Sequence, residues 1–223
     1  MQRLLPRTPR GAVLGTALAI GLLGPGATSA LAGYIVRDTF DGPQGALGQD
    51  RTLDQMVHEN PFGFATPLET FVNEAGGFYA FISDPAVLGT GYITYDNFAG
   101  GSADLSSATG FKLDFATVDQ DAPMSIDLVT FDDMGGVAGS ASVDLTMMAG
   151  VNMTVSAAIG DFTVTGDFDL ANIGEVLLTF HPEDGGTPSL DFTLTEFRAT
   201  PTPSALALLA IGGLVARGSR RRI

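Results

Sequence analysis

The sequence predicts an all-β protein, an antiparallel β-sandwich of jelly-roll type, set between two targeting segments. Short apolar/polar alternations recur at spacings of roughly 10 to 15 residues, with Gly, Asp and Pro between them. No helical period of useful length appears before residue 200. The two ends differ from the middle: seven of the 11 Lys and Arg residues fall in residues 1–32 and 201–223, and all 25 Asp and Glu fall between them.

The first segment, residues 1–32, reads as a signal peptide. Arg3, Arg7 and Arg10 give a positive start, Gly11 to Leu23 an apolar run, and Ala30-Leu31-Ala32 a small-x-small cleavage site before Gly33. Signal peptidase and the secretion machinery are therefore expected partners, with Ala30 and Ala32 as the processing residues. No cysteine follows the apolar run, which excludes a lipoprotein anchor.

Residues 33–200 form one domain by length, long enough to bury a core without disulfides. Ten strands are expected in order. Thr52–His58 alternates, and Gly77–Asp84 and Gly91–Asp96 are short aromatic strands between turn residues. Gly110–Val118, Ser125–Phe131, Ser142–Met147 and Asn152–Ala157 follow, with Asp- and Gly-rich turns between them. Phe162–Thr165, Glu175–Phe180 and Leu190–Phe197 complete the series. This body holds four basic residues (Arg37, Arg51, Lys112, Arg198) against all 25 acidic ones, a formal net charge of −21. Such a surface repels phosphate backbones, so nucleic acid is not an expected partner.

The last segment, residues 201–223, opens with Pro201-Thr202-Pro203-Ser204. Both prolines remove backbone donors, which ends the domain near Thr200. Ala205 to Ala216 is apolar and rich in the strong helix formers Ala and Leu. Twelve helical residues span roughly 18 Å, short of the ~30 Å hydrocarbon thickness. The segment can lodge in a membrane before processing if Arg217 snorkels, and Arg220, Arg221 and Arg222 then stay cytoplasmic.

A Pro-x-Pro-Ser break, the run Ala-Leu-Ala-Leu-Leu-Ala-Ile-Gly-Gly-Leu-Val-Ala and a closing arginine cluster resemble the PEP-CTERM sorting signal of bacterial exported proteins. The resemblance covers the last 23 residues, and Thr202 stands where that motif usually has Glu. It implies export to a Gram-negative-type envelope, processing by an exosortase at the segment holding Pro201 and Pro203, and a link to extracellular polysaccharide. A second resemblance covers about residues 77–198. YDNFAGG at Tyr95–Gly101, FKLDF, SIDLVTF and NIGEVLLTF…LDFTLTEF look like jelly-roll domains related to carbohydrate-binding modules. In many of those folds an Asp stands two residues before the aromatic that Phe197 matches; here the position is Thr195.

Catalytic signatures are absent. His58 and His181 are the two histidines, and although His58-Glu59 begins like a zinc-protease motif, Phe62 stands at the second ligand position. There is no Gly-x-Ser-x-Gly elbow, and no cysteine serves as nucleophile or zinc ligand. Non-enzymatic function is expected, with a glycoside-active enzyme as the third reading. Asp pairs on turns supply the hard oxygen ligands that Ca²⁺ takes. Jelly rolls of the resembled type tie first and last strands with calcium, which favours one structural Ca²⁺ on Asp38, Asp41 and Asp191. Glycan binding needs aromatic platforms beside polar groups. Tyr79, Tyr92 and Tyr95, with Asp96, form the dense set that offers both. The expected protein is thus an exported surface or matrix β-sandwich associated with polysaccharide, with a calcium-supported carbohydrate-binding module as the alternative.

Overall fold

The computed structural model describes residues 36–42, 50–181 and 188–202. Ala30, Ala32, Pro203 and Arg220–Arg222 lie outside these residues. Twelve strands occur among the described residues: β1 (Arg37–Asp38), β2 (Asp50–Glu59), β3 (Leu68–Asn73), β4 (Phe78–Ser83), β5 (Leu88–Asp96), β6 (Ala108–Val118), β7 (Ala122–Phe131), β8 (Val137–Met147), β9 (Gly150–Ala158), β10 (Thr163–Gly166), β11 (Glu175–Phe180) and β12 (Asp191–Pro201). They build two antiparallel sheets, as the alternation predicts. The first has the order β3-β4-β12-β6-β9, with β1 also pairing with β12; the second has the order β10-β8-β7-β11-β5-β2.

The alternation is cleanest in β7, whose ten residues switch strictly between buried and half-exposed. One face of each sheet meets the other sheet, so every second side chain enters a common core. Aromatic rings from both sheets fill it. Phe197 of β12 stacks between Tyr95 and Phe111, at ring separations of 5.4 and 5.8 Å. Phe192 of the same strand packs on Phe81 at 5.2 Å and on Phe180 at 4.9 Å. Gly91 in β5 is required by this packing, because a Cβ there would stand 2.7 Å from the Phe81 ring and 2.8 Å from the Tyr79 hydroxyl.

Two strands escape the sequence reading. β1 has only two residues, too short to show a period. β3 reads LETFVN, with the polar Thr70 turned inward and Phe71 turned outward, which hides the period that binary patterning relies on. β12 also runs past the strand end expected at Phe197 to Pro201, which pairs with Ala108, and the Thr202 amide donates to Ser107 at 2.7 Å.

Candidate binding face

The outer face of the first sheet carries a transverse row that the strand registers align. Phe71 (β3) lies opposite Ala80 (β4), Ala80 opposite Thr193 (β12), Thr193 opposite Thr117 (β6), and Thr117 opposite Val151 (β9). Four interstrand spacings make this row roughly 19 Å long. The middle positions are small (Ala, Thr, Thr) and the flanks are large, so the row is a trough. Phe71, Phe78, Ile82 and Val151 form its apolar walls and Asp119 and Asp191 one rim, around a volume of about 650 Å³. That falls within the range of ligand clefts, ~300–1,000 Å³.

The walls are open to solvent: Phe71 is 37 % exposed, Ile82 43 % and Val151 68 %. Phe71 and Phe78 meet edge to face at 6.4 Å, which fixes both rings at one end of the trough. At the rim, Asp191 accepts the Ser83 amide at 2.9 Å and its own amide donates to Asp119 Oδ1 at 2.9 Å. Burial pushes the Asp191 carboxyl up from its ordinary value; the Ser83 amide opposes this, and the charges of Asp119 and Asp84 add to it.

Beside the trough, the same face holds three of the body's four basic residues in one row. Arg37, Arg198 and Lys112 lie side by side on β1, β12 and β6, ending on Ser156 of β9. The next row is acidic and hydroxylic: Glu196, Asp114, Thr154. Arg37 Nε donates to Glu196 at 2.6 Å, and Arg198 bridges Glu196 and Asp114. Burial would raise the Asp114 carboxyl, but the Thr154 hydroxyl, the Arg198 guanidinium and the Lys112 charge together hold it below its ordinary value. A bulge at Thr195 sets this arrangement. It shifts the β12 register between Leu194 and Glu196, and the Thr195 hydroxyl donates to the Asp114 carbonyl at 2.8 Å.

The residues singled out from sequence fall elsewhere. Tyr79 and Tyr95 are 0 % exposed and point into the core, so they give no platform to an outside ligand. The physical reason is the strand period: both share the inward face with Phe81 and Ile93. Tyr92, between them in sequence, points to the outer face of the second sheet, opposite Asp54 and Thr179. Asp96 ends β5 and accepts a bond from Asn97. Desolvation, then the Asp96 charge, raises the carboxyl of Glu175 nearby.

The calcium set is likewise not assembled. Asp38 is buried against Arg51, whose Nη1 reaches Oδ1 at 2.9 Å and Oδ2 at 2.7 Å. The Phe40 amide and the Tyr95 hydroxyl complete the shell of Asp38, at 2.8 and 3.0 Å. Arg51 also donates to the Gly42 carbonyl and lies over the Phe40 ring. A guanidinium thus neutralises the carboxylate expected to hold a cation. Asp41 accepts from Thr39, and Asp191 lies six residues from the β12 position that faces Asp38, roughly 20 Å along the strand. No cluster of three or more metal-ligating side chains occurs among the described residues.

His181 is buried, with Nδ1 2.7 Å from the Gly89 carbonyl, and His58 Nε2 meets the Thr90 hydroxyl at 2.7 Å. Among the described residues no helix is long and apolar enough to cross a membrane.

Fold and face together define a class: an antiparallel β-sandwich with a shallow trough across the solvent face of one sheet. No family model matches the chain, and no curated protein matches it. Solved structures do resemble it. A family 11 carbohydrate-binding module from Clostridium thermocellum, in complex with a β-1,3-1,4-mixed-linked tetrasaccharide, is 12% identical; 77% of this chain and 100% of that one align, with a TM-score of 0.47. The family 11 module of a cellulosomal cellulase from Clostridium thermocellum is also 12% identical, over 78% and 98% of the two chains, with a TM-score of 0.49. An exo-β-agarase is 12% identical over 77% of this chain and 25% of its own, with a TM-score of 0.44. At these scores the likeness carries no argument about function.

Proposed function

We propose that the protein is an exported, non-enzymatic β-sandwich of the cell surface or extracellular matrix that lays an extended polysaccharide across the outer face of its first sheet. The observation that carries this reading is the trough itself. It is long, open along its length, apolar at the walls and small-hydroxyl on the floor, which suits a chain of rings with apolar faces and hydroxylated edges. Phe71 and Phe78 supply the surface for ring contact, Thr117 and Thr193 the floor. Glu196, Asp114 and Arg198 are charged hydrogen-bonding groups on the same face for sugar hydroxyls. The net charge of −21 on the body disfavours polyanions, so a neutral polymer is the expected ligand. Residues 1–32 direct export through signal peptidase, and residues 201–223 direct sorting through an exosortase-like enzyme, on the resemblance of that tail.

The test is a binding titration of the full chain against the producing cell's extracellular polysaccharide and a panel of neutral soluble polysaccharides. Phe71→Ala should weaken binding about tenfold or more while the chain still folds, with Tm lowered only modestly by loss of the Phe78 contact. Tyr92→Ala, on the other sheet, should leave binding unchanged. If Phe71→Ala binds as the parent does, the trough is not the site; if no polysaccharide binds, the reading fails.

A structural matrix protein is the second reading. Phe62 and Phe64 favour it, because they meet edge to face at 5.8 Å in the exposed β2–β3 connection. That reading requires concentration-dependent association that Phe62→Ser abolishes.

A further inference from the structure

A second concavity lies where β9 leads into β10, and it shares no lining residue with the trough. After β9 the chain crosses from the first sheet to the second through a 3-10 turn, Ile159–Asp161, and enters β10. This crossing leaves an apolar pocket of about 290 Å³, lined by Leu128, Ala141, Phe162, Val164, Phe168 and Leu170 among others. Leu128 and Ala141 belong to the buried core, so the pocket opens the interior at this edge. Its rim is acidic: Asp169 lines it, and Asp161 and Asp167 flank it, all three exposed.

Two observations indicate the occupant. First, the described chain ends close by. Thr202 is hydrogen-bonded through both its amide and hydroxyl to the Ser107 carbonyl, and two residues earlier the Leu105 amide donates to the carbonyl of Leu170, a pocket residue. On the other flank Thr200 pairs with Gly110 and Gly110 with Ala158, next to Ile159 of the pocket. Second, the segment after Thr202 complements the pocket in both polarity and charge: Ala205 to Ala216 is apolar, and Arg217, Arg220, Arg221 and Arg222 close the sequence. Six residues beyond Thr202 reach about 20 Å, enough to bring Leu208 to the opening.

We propose that this pocket is a docking site for the chain's own apolar segment Ala205–Ala216, with the closing arginines against the Asp161, Asp167 and Asp169 rim. Tethering makes the contact intramolecular, at an effective concentration on the order of millimolar. The sorting segment thus has a place on its own domain in water, before any membrane or processing enzyme receives it.

Because the chain contains no cysteine, introduced pairs report single contacts. In the full chain, Val164→Cys with Leu208→Cys should form an intramolecular disulfide at least about tenfold faster than Val151→Cys with Leu208→Cys. Both Val164 and Val151 are exposed, so both variants should fold alike. Neutralising the rim with Asp161→Asn, Asp167→Asn and Asp169→Asn should slow the first reaction. Equal rates for the two pairs overturn the proposal. So does a disulfide that forms only between two chains, which would make a second copy the occupant.

Discussion

Replacing Tyr79 by Phe removes one oxygen, and the structure assigns that oxygen a cost. The Tyr79 hydroxyl is buried with no hydrogen-bond partner among the described residues, and burial pushes its pKa far above the ordinary value. The Thr70 hydroxyl nearby opposes that rise while donating to Gln55 Oε1 at 2.9 Å, but it does not come into hydrogen-bond geometry with the Tyr79 oxygen. An unpaired buried polar group costs about 1–3 kcal/mol, while the ring contacts with Phe180 and Phe192 survive the change. Tyr79→Phe should therefore stabilise the fold by about 1–2 kcal/mol, raising Tm by about 3–6 °C for a domain of this size. Tyr95 supplies the internal control. It is equally buried, but its hydroxyl donates to Asp38 at 3.0 Å, and burial followed by the Asp38 charge raises its pKa. Tyr95→Phe deletes a bond to a charged acceptor and should destabilise by about 1.5–3 kcal/mol. Urea denaturation at constant m-value, with calorimetry alongside, measures both. The same chemical change is thus expected to act with opposite signs at two buried tyrosines. Destabilisation by Tyr79→Phe, or equal shifts for the two variants, would refute the assignment of partners.

Three further outcomes are expected from the geometry. Arg51→Ala leaves Asp38 charged and buried, and should cost about 3–5 kcal/mol in urea titrations; the smaller loss in an Asp38→Asn/Arg51→Met double variant would show that the pair acts as a unit. Chelator should leave the Tm of the parent unchanged, because Arg51 fills the place expected for calcium; a clear fall would contradict that. The folded Asp114 carboxyl lies below its ordinary value near 3.8, so its contribution to stability is present above that value and lost as pH falls through the folded one. Acid titration of Asp114→Asn should show a shallower decline of stability below about pH 4 than the parent shows.

Strands were legible wherever one face alone was apolar. Glu175–Phe180 has the bounds the alternation predicts, because its neighbours on both sides force a strict inside and outside. β3 was not legible, since it is an edge strand whose outward residue, Phe71, belongs to the trough. The same inversion concealed the site. Phe71 and Ile82 come from the neighbouring strands β3 and β4 and Val151 from β9 much further along the chain, and each reads alone as core. Only the register of five strands shows that all three stand on the solvent face, Phe71 and Val151 in line with Thr193 and Thr117 and Ile82 beside them opposite Asp191. Tyr79 and Tyr95 misled for the complementary reason: dense aromatics at alternate positions are what a core face looks like. The Asp38–Arg51 pair was beyond reach because nothing local to either residue signals a buried partner 13 positions away.

The placement of β12 bears on how the protein is made. It comes after the other eleven strands in the chain, yet it lies inside the first sheet, between β4 and β6, and also holds β1. Its Phe192 and Phe197 are the rings on which the aromatic core converges. Until residue 201 has been synthesised, β4 and β6 have no common neighbour and the earliest strand has no partner. Folding from the leading end is therefore blocked by topology, with the most non-local pairing required last. The export proposed above would gain from this order, since the sandwich stays open until nearly all of it has been made.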